Sequence, residues 1–337
     1  MWKAKLTATL NNLGLASAQS DKSLFVNSDK TLLFHIHVDD EFIISKSENA
    51  IIVFLDKLNN TLKLTYKKRP TQHSGYNLKW CNSELKINQT DLIVKLLRQF
   101  GMEECKSVKT PCNGNFLNEI GCKSSNDVIE LSKHSTKPSQ SHWNALKHLL
   151  RYLKGTKDKC LVYRQQLIKE ALTGWADADY ANDSKDRKSI TGYVILAFSN
   201  PICWLSKKQL VVAQSTTEAE YIAMNICSKQ LRWLTFVFND LGHVSPQPTL
   251  FNDNSGAVTI SKQASLNANT KHAEVRYQYV CDCVMKKLIK VVQVSTNDMI
   301  ADVLTRPLGV VKLQEVYKQL HLKDPGGVLI VEENHLG

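Results

Sequence analysis

Apolar positions along the chain follow helical spacing in some stretches and strand-like runs in others. Between Trp2 and Leu13 the residues Leu6, Leu10 and Leu13 share a helical face that stops at Gly14, which predicts a helix with a glycine end. Thr31 to Ile44 carries apolar runs on either side of Asp39-Asp40, the pattern of a buried hairpin with the acidic pair at its turn. A helix is predicted over Ala50 to Asn59. Paired strands follow at Tyr76–Trp80 and Glu84–Ile87 around Asn82, then an amphipathic helix over Thr90–Phe100 ending at Gly101. Ser107 to Ser125 has little periodicity and holds Pro111, Gly114 and Gly121, so it reads as a linker. Trp143, Leu146, Leu149, Leu150 and Leu153 then share one face of a helix over Ser141–Leu153.

From Leu161 the texture changes. A strand at Leu172–Ala178 leads through a polar turn, Ala181–Lys188, to strand-like runs at Ile190–Phe198 and Ile202–Ser206. Thr216 to Leu241 reads as a long helix, with Thr216 or Thr217 as its N-cap and Gly242 as its stop. Thr249–Asn252 is a short strand, Ser255–Gln263 and Lys271–Leu288 are helices, and Lys290–Val294 is a last strand. Met299–Leu304 is a closing helical turn or two, stopped by Pro307. Three strands, a helix, then alternating strand and helix predict a mixed sheet with helices packed on it. There is no internal repeat and no low-complexity tract.

Composition changes this picture little. With 337 residues, 43% hydrophobic and 22% charged, two globular domains are expected. The formal charge of +11 favours a polyanionic partner such as nucleic acid, against a basic surface with no special partner. The nine cysteines are scattered, with no pair of CxxC motifs, so they read as small core residues of a reduced, intracellular protein rather than zinc ligands. No signal-peptide run and no apolar stretch of about 18 residues is present, so no membrane partner is expected.

The acidic residues are more informative. Asp177 falls near the end of the first strand of the second half, and Glu220 one turn into the long helix. Asp253 falls where a strand passes into a helix, and Asp302 on the closing helical turn. Asp177, Glu220 and Asp302 have apolar neighbours and Asp253 follows an apolar strand, costly places for a carboxylate unless it is paired or metal-bound. Oxygen ligands with no accompanying histidine or cysteine set suit Mg2+ or Mn2+. Two such ions about 4 Å apart can activate a water and stabilise the leaving oxygen of a phosphodiester. The plainer reading is that each acid caps a helix or sits on the surface; Asp253 could simply cap the helix at Ser255.

The strings around these acids carry a resemblance. Gly174-Trp175-Ala176-Asp177-Ala178-Asp179-Tyr180-Ala181 resembles the first ribonuclease H strand of copia-type retrotransposon Pol polyproteins. The segments Asp186 to Tyr193, Trp204 to Gln209, Ser215 to Tyr221, Asp253 to Ala257 and Ala301 to Leu308 resemble the motifs that follow it, in order. The resemblance implies a ribonuclease H-like mixed five-stranded sheet with flanking helices. It also implies Asp177, Glu220, Asp253 and Asp302 as the catalytic, metal-binding set for two Mg2+ or Mn2+ ions. Glu218 lies about 200° from Glu220 around the helix, so only one of them can face the site; the string Glu220-Tyr221-Ile222-Ala223-Met224 favours Glu220. Asp179 returns to the face of Asp177 but falls beyond the sheet edge. Arg187, Lys188, Lys207 and Lys208 are the implied phosphate contacts. Trp175 and Trp204 are read as core aromatics before stacking platforms. A histidine that assists product release in many ribonucleases H has no counterpart in Ser295-Thr296-Asn297-Asp298. His272 comes too early for that role and is left as a structural or nucleic-acid contact.

Upstream, Phe34 to Asp40 resembles the Tyr-Val-Asp-Asp hairpin of reverse transcriptases, with His37 in the tyrosine position and Asp39 and Asp40 as the polymerase acids. Asn88 to Pro111 resembles the thumb-proximal segment, and His142 to Thr156 the polymerase–nuclease connection. Two departures stand out. The third polymerase acid lies far upstream in the family, whereas here Asp21 and Asp29 are in loop-like sequence, so polymerase activity is not expected of this chain by itself. The segment near Asn118–Val128 is also shorter than in the family. The expected organisation is an α+β truncated palm/thumb segment (1–112), a shortened connection (113–165), an α/β ribonuclease H-like domain (166–320) and a tail (321–337). The expected function is hydrolysis of the RNA strand of RNA–DNA hybrids, with the rest of a Pol polyprotein as a further partner. The expected location is intracellular, in a cytoplasmic virus-like particle or the nucleus. The alternative is a catalytically decayed remnant that binds nucleic acid or another subunit.

Overall fold

The computed structural model describes residues 2–37, 40–62, 65–81, 83–112, 131–132, 134–164, 172–181, 183, 186–244, 246–263 and 275–324. Three sheets organise them. The first is an antiparallel meander of β1 (Leu15–Ser17), β2 (Leu24–Asn27), β3 (Leu32–His37) and β4 (Asp40–Ser45), in that order. It packs against α1 (Trp2–Asn12) and α2 (Glu48–Asn59) through a core that includes Leu6, Leu10, Phe25, Phe34, Phe54 and Leu58. Gly14 takes φ +87 just after α1, as a glycine stop requires. Ser47 caps α2 by accepting from the Ala50 N–H.

The second sheet gathers strands far apart in sequence. β5 (Gln72–His73), β6 (Tyr76–Cys81) and β7 (Glu84–Asn88) form a meander, and β8 (Cys160–Arg164) pairs with β7. Between β7 and β8 run α3 (Thr90–Gln99) and α4 (Gln140–Thr156), which pack on each other. The outer edge of β8 is taken by β14 (Leu322–Lys323), the last strand of the chain to be described.

The third sheet is the mixed five-stranded sheet with flanking helices that the sequence leads one to expect. β9 (Leu172–Asp179), β10 (Ile190–Ala197) and β11 (Asn200–Lys208) are antiparallel neighbours; β12 (Thr249–Asn252) runs parallel to β9, and β13 (Lys290–Gln293) parallel to β12. The spatial order is β11-β10-β9-β12-β13. α5 (Thr216–Asp240) lies across one face, followed in the chain by α6 (Ser255–Lys262) and α7 (Val275–Met285). The other face is covered around Val194 and Leu196 by a 3-10 turn at Ile300–Leu304. With both faces covered, β10 is buried along its whole length, and its sequence from Tyr193 to Ala197 runs without polar alternation. β9 does alternate: Leu172 and Ala176 face the core with Met224, Cys227 and Leu231 of α5. A Cβ at Gly174 would stand 2.8 Å from Cys227 Sγ and from Leu231 Cδ1, so the absent side chain sets how closely α5 approaches the sheet.

Several boundaries and elements differ from the sequence reading. The N-cap of α5 is Ser215, which accepts from the Glu218 N–H, and not Thr216 or Thr217. β1, β2, β5, β8, β14 and α8 (Val310–Gln319) were not expected; β5 and β14 are two residues long, whereas α8 carries Val310, Leu313, Val316 and Tyr317 at helical spacing. β11 extends beyond Ile202–Ser206 at both ends because its register with β10 continues from Asn200 to Lys208. Among the described residues no helix is long and apolar enough to cross a membrane.

Candidate metal centre

Three carboxylates meet where β9, α5 and β12 converge. One oxygen each from Asp177, Glu220 and Asp253 lies within 4.8 Å of the other two. Asp177 comes from the last turns of β9, Glu220 from the first turns of α5, and Asp253 from the residue after β12. Asp177 and Glu220 are each only 6% exposed, so their charges are held away from water. Asp253 is not the cap of α6: Asn254 fills that role, accepting at 2.9 Å from the Ala257 N–H through Oδ1. The Asp253 carboxylate is thereby left for the cluster, and Thr296 Oγ1 donates to its Oδ2 at 2.7 Å.

The fourth expected acid is adjacent but differently engaged. Asp302, 2% exposed on the 3-10 turn, forms an ion pair through Oδ2 with Arg306 Nη2. Its Oδ1 is buried with no hydrogen-bond partner among the described residues. Asp302 is close enough to Asp177 for repulsion between them to raise the Asp177 pKa.

Burial and mutual repulsion dominate the electrostatics. Burial raises the Asp177 pKa first, and Asp302 and Asp253 raise it further, while the Thr305 hydroxyl donating to Asp177 Oδ2 opposes them. Burial and then the charge of Asp177 hold Glu220 well above the usual carboxylate range. Burial raises Asp302 as well, against the pull of Arg306. Carboxylates forced together in a dry site repel unless a cation offsets them. The donors are all oxygens, with an unpartnered buried oxygen on Asp302, and this chemistry fits a hard divalent cation.

Glu218 and Asp179 do not join the cluster. Glu218 turns back at the start of α5, where its Oε2 accepts from the Gln214 N–H at 2.7 Å. Asp179 is the last residue of β9, half-buried. Sequence reasoning missed the residues that hold the acids. Asn252 is fully buried; its Nδ2 donates to Glu220 Oε2 and to the Ala176 carbonyl, both at 2.9 Å. Gln209 Nε2 donates at 3.0 Å to Thr191 Oγ1 and to the Ala219 carbonyl, tying the first turn of α5 to β10. Each lies inside or beside a string already singled out, but neither stands out there: Asn252 adjoins Asp253 and Asn254, and Gln209 follows two lysines.

The expected phosphate contacts divide. Arg187 and Lys207 are exposed, and Lys188 is half-buried. Lys208 is ion-paired with Asp183 and, at 2.8 Å, with Asp186, so it fastens the loop that carries Arg187. Trp175 packs on Phe251 with ring centroids 4.3 Å apart, as a core aromatic does. Trp204 is 50% exposed on β11 and departs from the expectation of a core residue. Asp40 opens β4, exposed and paired in register with His37. Asp39 and His272 lie outside the described residues.

Comparison with known proteins finds one family match and several relatives. Residues 1–114 match the reverse transcriptase (RNA-dependent DNA polymerase) family. The chain is 29% identical to the retrovirus-related Pol polyprotein from transposon RE2 of Arabidopsis thaliana, over 97% of its own length and 25% of that protein. It is 28% identical to the Pol polyprotein from transposon TNT 1-94 of Nicotiana tabacum, over 90% of its length and 26% of that protein. It thus spans about a quarter of the length of these curated relatives. Among solved structures, LC11-RNase H1 isolated from compost superposes with a TM-score of 0.31 at 13% identity, covering 41% of this chain and 94% of that one.

Proposed function

Taking as premise that this chain is a relative of copia-type retrotransposon Pol polyproteins, we propose that its residues 166–320 form a ribonuclease H-type endonuclease that hydrolyses the RNA strand of RNA–DNA hybrids. In this reading residues 1–112 are a palm and thumb segment of a reverse transcriptase, 113–165 a connection and 321–337 a tail. The rest of a Pol polyprotein is a natural partner. The observation that carries the reading is the meeting of Asp177, Glu220 and Asp253 from three separate elements, two of them buried.

These three acids, with Asp302 as a fourth carboxylate, would hold two Mg2+ or Mn2+ ions. Bound there, such ions supply activation of a water and stabilisation of the leaving oxygen at a phosphodiester. The remaining work belongs to the chain's own groups. Asn252 fixes the rotamer of Glu220, and Gln209 fixes the helix turn before it. Arg187, Lys188 and Lys207 meet phosphates, whereas Lys208 acts one step back by shaping the Arg187 loop. The exposed ring of Trp204 offers a flat apolar surface to a sugar. Recognition on this basis reads the shape of the hybrid and its 2′-hydroxyls rather than base sequence.

The test is cleavage of a labelled RNA–DNA hybrid with Mg2+ by the chain and by Asp177→Asn. Cutting by the wild type and loss of cutting with retained binding in the variant is the expected result. Binding with no cutting by the wild type would favour a nucleic-acid-binding remnant. The chain by itself is expected to extend no primer. Templated extension in the same preparation would overturn that.

A further inference from the structure

The 3-10 turn that carries Asp302 ends at Thr305, and this residue ties the turn to the sheet at the acid site. Thr305 is fully buried. Its Oγ1 donates to Asp177 Oδ2 and lies 3.2 Å from the Asp302 carbonyl oxygen. A hydroxyl has one proton, and the bond to a carboxylate is the stronger of the two. The turn itself is anchored independently of that bond. Ile300 packs with Val194 and Leu196, and Ser206 Oγ donates at 2.6 Å to the Leu304 carbonyl.

The sheet makes room for this contact at one residue. Gly192 of β10 is the register partner of Asp177. A Cβ at Gly192 would stand 2.6 Å from Thr305 Cγ2, 3.0 Å from Leu304 Cβ and 3.1 Å from the Ala301 carbonyl oxygen. The threonine methyl therefore occupies the space a side chain at 192 would need. A β-branched residue has few χ1 choices, so seating the methyl there directs the hydroxyl toward Asp177.

We infer that Thr305 is a positioning residue of the acidic centre: its hydroxyl holds the Asp177 carboxylate in the orientation in which it meets Glu220 and Asp253, and Gly192 is the gap that seats it. The inference rests on the nuclease reading of that centre. It gives Thr305 a part in ion binding although Thr305 contributes no ligand to the group of three carboxylates.

Thr305→Val keeps the shape and methyl but removes the hydroxyl. Thr305→Ser keeps the hydroxyl and removes the methyl. Mn2+ affinity of the full chain is measured by spin-resonance titration of free Mn2+, with circular dichroism to confirm folding and hybrid cleavage in parallel. Thr305→Val is expected to bind Mn2+ about 10-fold more weakly, the usual size of effect for a group supporting a ligand, and Thr305→Ser to fall between it and the wild type, since it keeps the hydroxyl without the methyl that directs it. Gly192→Ala, which displaces Thr305, is expected to weaken binding as Thr305→Val does. Where Thr305→Val does not fold, Thr305→Ala against Thr305→Ser gives the same contrast. Wild-type affinity in the hydroxyl-free variant, or a serine variant as weak as it, overturns the inference while leaving the nuclease reading in place. A wild type that binds no Mn2+ and cuts no hybrid overturns the nuclease reading, and this inference with it.

Discussion

Two acidic spots in this chain invite the same chemistry, and they are built differently. Around Asp177 a strand, a helix and a strand end each deliver one carboxylate, and neighbours fix the carboxylates from behind. At Asp40 the carboxylate is exposed at the start of a hairpin strand, where His37 is its register partner among the described residues. An exposed acid is solvated and costs the fold nothing. A buried cluster is unfavourable in the absence of a compensating charge, so it persists only where packing on several sides imposes it. Among the described residues, the difference lies in how many elements converge on each.

The largest effect should separate the two spots directly. Asp177→Asn is expected to lower hybrid cleavage by about 1000-fold, or ~4 kcal/mol at the transition state, whereas Asp40→Asn leaves it unchanged; single-turnover cleavage rates check both. Glycines give a second contrast, read by urea unfolding. Gly174→Ala places a methyl against Cys227 and Leu231 and is expected to cost ~1–3 kcal/mol through overpacking. Gly14→Ala meets nothing within 4 Å and is expected to cost only ~1 kcal/mol through its positive φ.

The pH dependence sharpens the comparison further. Folded-state pKa values of Asp177, Glu220 and Asp302 are raised, so the folded state binds protons more tightly than the unfolded one. The stability this confers is present at acid pH and is lost as pH rises from the ordinary carboxylate range through the raised values. Thermal melting of the ion-free chain should therefore fall across that interval, and Mg2+ should flatten the decline. A decline unaffected by Mg2+ would locate its cause away from the acid cluster. The smallest effect concerns the two neighbouring lysines. Lys207→Ala should reduce the slope of log affinity for hybrid against log salt by about one. Lys208→Ala should act mainly on the loop that its ion pairs with Asp183 and Asp186 hold.

Much of the acid-bearing sheet was legible in the sequence because its signals are local. The strand Ile190–Ala197 and the long helix after Ser215 follow from periodicity, and the choice of Glu220 over Glu218 from the resemblance of its string to the family's helix motif. The unread parts depend on distant partners. β8 and β14 are strands only because each supplies an edge for another, and β14 is two residues long. The release of Asp253 from capping rests on Asn254, an equally good cap one position later. The engagement of Asp302 by Arg306 required knowing that the 3-10 turn places them on one side. Two of the residues that support the carboxylates, Asn252 and Thr305, looked like ordinary polar residues because a string of letters does not show which oxygen a hydroxyl or amide will reach.

The pairing of β14 with β8 bears on how the chain is made. Strands from Leu322–Lys323 and Cys160–Arg164 must find each other across the whole acid-bearing sheet, which lies between them in sequence. During synthesis that intervening sheet can close as soon as residues 290–293 emerge, since its five strands are then available. The neighbouring sheet waits for the strand that completes it, and pairings this distant form slowly. Through that interval the nascent chain presents the open edge of residues 160–164, a template to which a strand from another chain can add. The order of translation thus exposes to misassembly not the sheet that carries the acids but the one that brings residues 72–88 together with residues 322–323.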